Sequence, residues 1–424
     1  AFVLAVWGIG RLALSLGGDR RVALLAATIF CLVPAFQANA QIATQDGLLV
    51  AFWVALTAAG LRLFRRWRRG QGTFAEWALV WALLGAGTLL KQSVLLFLPC
   101  LAAQVVVERR ARKRGLGRFL SASLPGAGLF LAITSPIWLW NARHGWPMLV
   151  HTLGHLGLGG DQAAVSRGNP ALGLVSFLGG LVGALGPLFG LLVLRGRAVS
   201  DADDFRRLDR AWLLSASVPV VAFIALLSLT KPVIATWVFP MTAPLAILAA
   251  EAVETGRDRT TRWLWGGFVA YGLVAQIVLF FPQALAKVPF WGEKLQPVMR
   301  RFTGRHDEAR RVARALATLE ARRVDPLLIA PHYMDASLLT FYLPDHPTVF
   351  CAGTWLGRRP TTFDLWPDTN LTNPALFGRS LLLVGGVESA WRDALDIGGL
   401  EPTGDGFLLA TNYRGPRHAA PANP

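Results

Sequence analysis

The sequence predicts a polytopic α-helical membrane protein of about ten spans that ends in a small α/β domain. Of its 424 residues, 53% are hydrophobic and only 16% are charged, and the mean hydropathy is +0.44. An ordinary soluble protein is about 25% charged. Apolar stretches close to the ~20 residues that a bilayer core requires recur through the first two thirds of the chain. Together these observations exclude a conventional soluble enzyme.

The predicted spans form a transmembrane module over residues 1–284. Several of them are short and broken by glycine or proline, notably around Lys91 and Pro240, which indicates tilted or interrupted helices at these points. The predicted spans lie near 1–16, 22–38, 47–64, 78–91, 92–107, 119–140, 171–194, 212–230, 238–252 and 264–284.

The positive charge follows the span ends. The formal net charge of +16 is compatible with nucleic-acid binding, an anionic membrane surface or the loop bias that orients membrane proteins. Residues 1–284 carry +14 of it and residues 285–424 carry +2. Within the module, 22 basic residues fall at one set of alternating span ends and 4 at the opposite set. The basic ends are therefore predicted to be cytoplasmic, and no nucleic-acid partner is expected.

Residues 285–424 are hydrophilic, and an even number of spans places them on the extracytoplasmic side. Their pattern predicts an amphipathic helix near 306–323, a strand at 326–330, a helix near 335–343 and later strands in TVFC, LLLVG and FLLAT. This alternation is typical of a compact two-layer or three-layer α/β domain. The segments that suggest a packed aromatic core with one polar edge are FYLP at 341–344 and TFDLWPD at 362–368.

Charged residues at the outer span ends are few, and uncompensated charge at that depth is commonly functional. Asp46 directly precedes a span in ANAQIATQDGLL, where it is either a helix cap or a functional carboxylate. Lys91 is an isolated cation between two short apolar runs in LLGAGTLLKQSVLL. It either snorkels to the interface or binds the phosphate of a lipid. The second interpretation is favoured, because an ammonium at headgroup depth suits a phosphate.

An outer loop opens with NARHGWPMLVHTLGHLG and supplies Arg143, His144 and Trp146, of which the tryptophan also fits an interfacial belt. His151 and His155 are spaced i, i+4, as two metal ligands on one helix face can be. No carboxylate lies close to them in the sequence. The preferred interpretation is that both are polar-face residues, and no metal ligand is assigned.

A last outer segment, TKPVIATWVFP, brings Lys231 and Trp237 to the surface. Lys231 is either a second phosphate or sugar contact or an ordinary interfacial lysine, and the sequence leaves both open. The chain contains no P-loop, no GxGxxG after a strand, no GxSxG and no CxxC pair. Its three cysteines, two of them inside apolar runs, give no disulfide framework.

Taken in order, six segments resemble the bacterial GT-C glycosyltransferases related to aminoarabinose transferases and protein mannosyltransferases: TQDGLL, GAGTLLKQSVLL, WLWNARHGWP, KPVIATWVFP, ASLLTFYLP and FDLWPD. The resemblance covers nearly the whole chain and rests on the order of the motifs. It implies a multi-pass inner-membrane enzyme with a periplasmic C-terminal domain. Such an enzyme is embedded in the lipid bilayer and takes a hexose or pentose from a polyprenyl-phosphate donor. It transfers the sugar on the extracytoplasmic side, with inversion, to a lipid, glycan or protein acceptor.

The resemblance also implies roles for particular residues. Asp46 matches the acidic residue at the outer end of a transmembrane helix near the active site and is the expected catalytic carboxylate. Lys91 matches the lysine near the carrier phosphate. Apart from the resemblance, Lys231 and Arg143 are further candidates for binding the donor phosphate. The residues expected in the loop that closes over the site are Asn141, His144 and Trp146.

One departure from the family concerns the general base. Family members carry an earlier span and a first outer loop with an acidic residue, which is the expected base. This chain starts downstream of that position, so the sequence is expected to lack an amino-terminal segment that activity requires. No cofactor is assigned, and a role for a divalent cation is left open. The alternative functions are a polytopic secondary transporter and an inactive membrane assembly protein.

Overall fold

The structure, a computed structural model, divides into two compact units, Ala1–Phe281 and Pro282–Pro424. The first unit is helical, and the second combines helices with a β-sheet. The structure describes residues 1–41, 44–111, 116–156, 169–198, 204–285, 287 and 289–418, with the backbone alone at 155, 156, 284, 285 and 289–303.

The described residues of the first unit form helices α1 to α16 and two short 3₁₀ helices. These are Gln92–Leu96 and Ala235–Val238, which directly precede α6 and α14. The helices are α1 (Phe2–Ser15), α2 (Arg20–Leu32), α3 (Pro34–Gln41), α4 (Gln45–Arg68), α5 (Phe74–Leu90), α6 (Phe97–Ala111), α7 (Leu116–Ser121), α8 (Leu124–Arg143), α9 (Pro147–Leu156), α10 (Pro170–Leu185), α11 (Phe189–Arg197), α12 (Asp204–Ser215), α13 (Val218–Leu227), α14 (Phe239–Thr242), α15 (Leu245–Thr255) and α16 (Arg259–Phe280).

Among the described residues, four helical segments are long and apolar enough to cross a membrane: α4, α7 with α8, α12 with α13, and α16. The count becomes seven if each of three bent pairs is one span, namely α2 with α3 (68°), α10 with α11 (84°) and α14 with α15 (58°). Helices occupy all ten segments that the sequence predicts. The number of ten spans is not confirmed, because α1, α5 and α6 are each shorter than a full span.

Several helix ends follow from local sequence. Asp19 caps α2 by accepting from Val22 N at 2.9 Å, and Asp258 caps α16 by accepting from Thr261 N at 2.9 Å. An extended conformation at Lys91 (φ −157°) separates α5 from the 3₁₀ turn that follows. Gly186 adopts φ +96° between α10 and α11, a value that glycine accepts without strain. The bend between these two helices falls in Gly186, Pro187 and Leu188, where a Gly-Pro pair interrupts the helix.

A buried aromatic cluster holds α4, α6 and α12 together. Trp212 packs edge-on to Phe97, with ring centroids 5.7 Å apart, and Phe97 packs edge-on to Trp53 at 5.2 Å. The indole of Trp212 donates to Thr57 O at 2.8 Å, and the indole of Trp53 donates to Ala216 O at 2.9 Å. Both tryptophans thus bury large apolar rings while their N–H groups stay hydrogen-bonded.

The arginine-rich helix ends lie next to one another. Arg65 donates to Ser15 O at 2.7 Å, which joins the last turn of α4 to the last residue of α1. Arg68 is 2% exposed and pairs with Glu108 at 3.0 Å and with Asp209 at 2.7 Å. These pairs hold the end of α6 and the first half of α12 against the end of α4. The structure therefore gathers at one end of the helices the positions that the charge pattern assigned to one side.

The second unit contains helices α17 to α21, a 3₁₀ turn at Pro374–Leu376 and seven short strands. The helices are α17 (Pro282–Leu285), α18 (Pro289–Ala321), α19 (Tyr333–Tyr342), α20 (Thr362–Leu365) and α21 (Glu388–Ala394). The strands are β1 (Leu327–Ala330), β2 (Val349–Cys351), β3 (Leu381–Leu383), β4 (Leu395–Asp396), β5 (Gly399–Pro402), β6 (Leu408–Thr411) and β7 (Gly415–Pro416).

Five of the strands form a mixed sheet in the order β2-β1-β3-β6-β5, and β4 pairs with β7. Strands β1, β2 and β3 are parallel, whereas β6 runs antiparallel to β3 and β5 antiparallel to β6. Residues of α18 and α19 pack on one face of the sheet and residues of α21 on the other. The unit is therefore three-layered, and its four predicted strands form as β1, β2, β3 and β6.

The predicted helix near 306–323 is present as the second half of a longer helix, α18, which begins at Pro289. Another expectation for this unit is wrong. The predicted aromatic core at FYLP and TFDLWPD is on the surface, because Phe341 is 67% exposed and Trp366 is 56% exposed. In α19 the inward positions belong to Leu339 and its neighbours on the same helix face, so that Phe341 points away from the sheet.

Candidate active site

The candidate site begins at the first turn of α4, where Asp46 lies. The N-cap residue of α4 is Thr44, so the interpretation of Asp46 as the cap is wrong, although its carboxylate complements the positive end of the helix dipole. At Gly47, a Cβ atom would stand 2.8 Å from the backbone oxygen of Asn39. The glycine after Asp46 therefore allows α3 to approach α4 closely and fixes where the carboxylate is presented.

Lys91 lies at the break between α5 and the 3₁₀ turn Gln92–Leu96. Its extended backbone interrupts the apolar run that would otherwise form one longer helix. The backbone N–H of Lys91 still donates to Gly87 O at 2.8 Å, so the end of α5 is closed by a regular helical hydrogen bond. The break leaves the ammonium at the end of α5. The opposite end of this helix is joined to α4 by the ion pair of Glu76 with Arg66, at 3.3 Å.

The structure brings Asp46 and Lys91 together although 45 residues separate them. Lys91 Nζ lies 2.5 Å from Asp46 Oδ1, and the two side chains are 31% and 21% exposed. Each therefore neutralises the other in a partly buried position. Because an ammonium has three donors, Lys91 can hold Asp46 and still donate to an anionic group on its exposed side.

The turn between α8 and α9 is organised by Asn141. This buried residue accepts from Met148 N at 3.0 Å through its side chain, and its backbone oxygen accepts from Trp146 N at 2.9 Å. Gly145 and Trp146 have φ values of +75° and +61°. A left-handed tryptophan is strained, and such strain is typical of a turn that the surrounding contacts impose. Asn141 thus shapes the predicted loop from the inside.

The other residues predicted in this loop face solvent. Arg143, the last residue of α8, is exposed, and so is His144. The His144 ring stacks on Trp140 with centroids 4.3 Å apart, and its Nδ1 lies 2.7 Å from Trp140 O. Trp146 is 40% exposed. The loop therefore presents a cation and aromatic rings at the surface.

Helix α9 is tied to both lysine segments. Lys231 Nζ donates to Gly154 O at 2.7 Å, and Thr152 Oγ1 donates to Gln92 Oε1 at 2.6 Å, immediately after Lys91. Burial lowers the pKa of Lys231. Lys231 is thus an anchor for α9 in this structure, and α9 connects it to the position next to the Asp46–Lys91 pair.

Gln92 and Thr152 are the residues that sequence reasoning missed at this site. Both are neutral, so neither produces the signal that an isolated charge gives in an apolar context. The sequence indicates a role for Gln92 only by its position directly after Lys91. Two further charges that the predicted topology assigns to the outer side, Asp161 and Arg167, lie outside the described residues.

The basic residues predicted for the donor phosphate lie at three places. Lys91 contacts Asp46, Lys231 is anchored to α9, and Arg143 lies in the exposed turn between α8 and α9. Within the described residues, no group of three histidine, cysteine, aspartate or glutamate side chains is placed to hold a metal ion. The side chain of His155, one of the two histidines considered as ligands, is outside that description.

The fold is similar to that of the GT-C glycosyltransferases and, among the described residues, includes four to seven helical segments that could cross a membrane. Residues 1–140 match the family model described as dolichyl-phosphate-mannose-protein mannosyltransferase. The crystal structure of ArnT from Cupriavidus metallidurans in the apo state is similar to the whole chain. The match has a TM-score of 0.57 and a sequence identity of 16%, and it covers 97% of this chain and 82% of the ArnT chain. No curated protein sequence matches the chain significantly.

Proposed function

We propose that the protein transfers a sugar from a polyprenyl-phosphate carrier to an acceptor on the extracytoplasmic side of the membrane, with inversion at the anomeric carbon. The observation that carries this proposal is the Asp46–Lys91 pair, with Nζ and Oδ1 2.5 Å apart. It lies at the helix ends opposite the arginine cluster that contains Arg68. The GT-C fold and the match of residues 1–140 to a mannosyltransferase family support the reaction class.

In the proposed reaction an acceptor hydroxyl attacks the anomeric carbon. A bond forms between the acceptor oxygen and that carbon, the bond from the carbon to the carrier phosphate breaks, and the electron pair leaves with the phosphate. Lys91 stabilises the negative charge of the leaving phosphate, which is the charge that develops in the transition state. The proton of the acceptor passes to a carboxylate.

Asp46 has two tasks in this scheme. It holds the Lys91 ammonium in place before the donor binds, and it orients the acceptor hydroxyl at the same depth in the membrane. Lys231 supports the scheme by fixing α9 through Gly154, with its pKa lowered by burial. Arg143, His144 and Trp146 are proposed to contact the donor or the acceptor from the exposed turn that Asn141 organises.

The test is transfer of a labelled sugar from its polyprenyl phosphate by the purified full-length protein. Asp46→Asn and Lys91→Ala are each expected to lower turnover by about 100-fold or more, the scale of losing a positioned acid–base or electrostatic group. Arg69→Gln is the matched control, because Arg69 is exposed at the opposite end of α4. Unchanged turnover in the Asp46→Asn, Lys91→Ala double variant would refute the proposed site.

A further inference from the structure

A cavity of about 640 Å³ opens between α11, α15 and α16, away from the candidate active site. It lies where α11 and α15 end and α16 begins, at the arginine-bearing helix ends. Its volume is within the range of about 300–1,000 Å³ that ligand sites occupy. The residues that line it are Leu191, Leu194, Arg195, Ala198, Ala252, Thr255, Gly256, Thr260, Thr261 and Leu264.

The lining is divided into an apolar part and a polar part. Leu191 and Leu194 are 47% and 59% exposed on α11, and Leu264 extends this apolar wall along α16. In a membrane-spanning pair of helices, such leucines face the acyl chains of lipids. The threonines and Arg195 lie at the helix ends, where the headgroups begin. The cavity therefore has an apolar wall of leucines and a polar end formed by the threonines and Arg195.

Arg195 is fixed at the polar end of the cavity. Its Nη1 donates to Asp258 Oδ2 at 2.9 Å and to Thr261 Oγ1 at 2.9 Å, while its side chain remains 41% exposed. Side-chain and backbone hydrogen bonds from Thr261 lower the pKa of Asp258 to about 2, so this carboxylate keeps its charge and its hold on Arg195. A fixed, partly exposed guanidinium can form paired hydrogen bonds with a phosphate.

Positive charge surrounds this end of the cavity. Four further exposed arginines adjoin lining residues in the chain. The nearby acids are Asp258, Glu254, which is 3.9 Å from Arg21, and the buried Glu251, which is 2.9 Å from Arg210. Arginines beside a membrane surface attract anionic lipids by about 1 kcal/mol each. The adjoining arginines are Arg197, Arg257, Arg259 and Arg262.

We propose that this cavity binds one anionic phospholipid of the leaflet that the basic helix ends face. One acyl chain lies against Leu191, Leu194 and Leu264, and the headgroup phosphate contacts Arg195. The ligand class follows from the combination of an apolar wall, a fixed guanidinium and a surrounding positive charge. The site is separate from the Asp46–Lys91 pair and does not depend on the proposed transferase reaction.

The test titrates the purified full chain in detergent with dioleoylphosphatidylglycerol and counts bound lipids by native mass spectrometry. The tightest site is expected to prefer this lipid over dioleoylphosphatidylcholine. Arg195→Gln is expected to weaken it about five-fold, the factor that corresponds to about 1 kcal/mol. Thr260→Trp, at an exposed lining position, is expected to abolish binding at this site by filling the cavity.

Arg69→Gln serves as the charge-matched control, because Arg69 is exposed at the same set of helix ends but does not line the cavity. Its affinity for phosphatidylglycerol is expected to equal that of the unmodified protein. The proposal is overturned if Thr260→Trp binds phosphatidylglycerol as tightly as the unmodified protein. It is also overturned if glycerol 1-phosphate displaces the lipid at equal concentration, since a headgroup phosphate alone would then account for binding.

Discussion

At the scale of single residues, the Asp46–Lys91 pair is the feature on which the proposed chemistry depends. Both side chains are partly exposed, at 21% and 31%, so the ion pair itself is expected to contribute no more than about 1 kcal/mol to folding. A pair that stabilises the fold so little, yet joins segments distant in sequence at one site, is better explained by a role in binding than by a role in stability.

We therefore expect stability and activity to separate at Lys91. Lys91→Met should lower the free energy of unfolding by at most about 1 kcal/mol, while sugar transfer falls by about 100-fold. Unfolding of the purified protein in bicelles and a transfer assay measure the two effects. Lys287→Met, at an exposed lysine of the second unit, is the control and should change neither. A Lys91 variant that loses stability and keeps its turnover would assign this residue to structure.

The charged members of the candidate site are predictable from the sequence, and the neutral ones are not. Asp46 and Lys91 are conspicuous because a charge beside an apolar run is costly unless it has a partner. Gln92 and Thr152 bond to each other at 2.6 Å but carry no such cost, so hydropathy does not distinguish them. The anchoring of α9 by Lys231 was also not predictable, since its acceptor is the backbone oxygen of Gly154.

A second prediction at this scale concerns Arg68, which is almost completely buried with Glu108 and Asp209. Arg68→Met leaves the buried Glu108 without its cation, while Asp209 keeps Arg65 at 2.6 Å, and is expected to destabilise the fold by about 3 kcal/mol. Arg69→Met changes the exposed neighbouring arginine and should lower the free energy of unfolding by no more than about 0.5 kcal/mol. The unfolding free energies of the two variants are compared in bicelles. Equal values would show that the cluster does not hold α4, α6 and α12 together.

At the scale of helices, hydropathy predicts where apolar segments lie better than how they bend. The break at Lys91 is present, and α14 and α15 are bent by 58° just after Pro240. In contrast, the 84° bend between α10 and α11 falls inside 171–194, which was predicted as one span. The sequence stays apolar through Gly186, so hydropathy gives no sign of the positive φ that this residue adopts at the bend.

The contact between α11 and α15 depends on Gly196. A Cβ atom at this position would stand 1.8 Å from the backbone oxygen of Leu248, and a backbone atom cannot move aside as a flexible side chain can. Gly196→Ala is therefore expected to separate the two helices and to lower the unfolding free energy by about 1–3 kcal/mol.

Gly190 provides a matched control within the same helix, because a Cβ atom there meets nothing within 4 Å. Gly190→Ala should leave stability unchanged or raise it by up to about 1 kcal/mol, since alanine favours a helix more than glycine does. Thermal unfolding of both variants tests the assignment. Similar midpoints for the two alanine variants would mean that α11 and α15 are not in close contact at Gly196.

At the scale of the whole molecule, the position of the second unit relative to the membrane depends on the direction of α16 and not on the number of spans. Arg195 binds Asp258 at 2.9 Å, which places the start of α16 among the arginine-bearing ends. The other end of α16, at Phe280, then lies on the opposite side. The direction of α16 is the same whether ten or seven spans are counted, because the contact between Arg195 and Asp258 identifies its arginine-bearing end.

By the positive-inside rule the arginine-bearing ends are expected to be cytoplasmic, and Pro282–Pro424 is then expected to be extracytoplasmic. Asp393→Cys, at an exposed position of α21, should react with a membrane-impermeant maleimide on intact cells. Labelling of the three native cysteines should be low. Cys31 and Cys100 lie within helices of the first unit. Burial raises the pKa of the Cys351 thiol, which keeps it protonated. The unmodified protein measures this background labelling. Labelling of Asp393→Cys only after the cells are opened would reverse the orientation and place the Asp46–Lys91 pair on the cytoplasmic side.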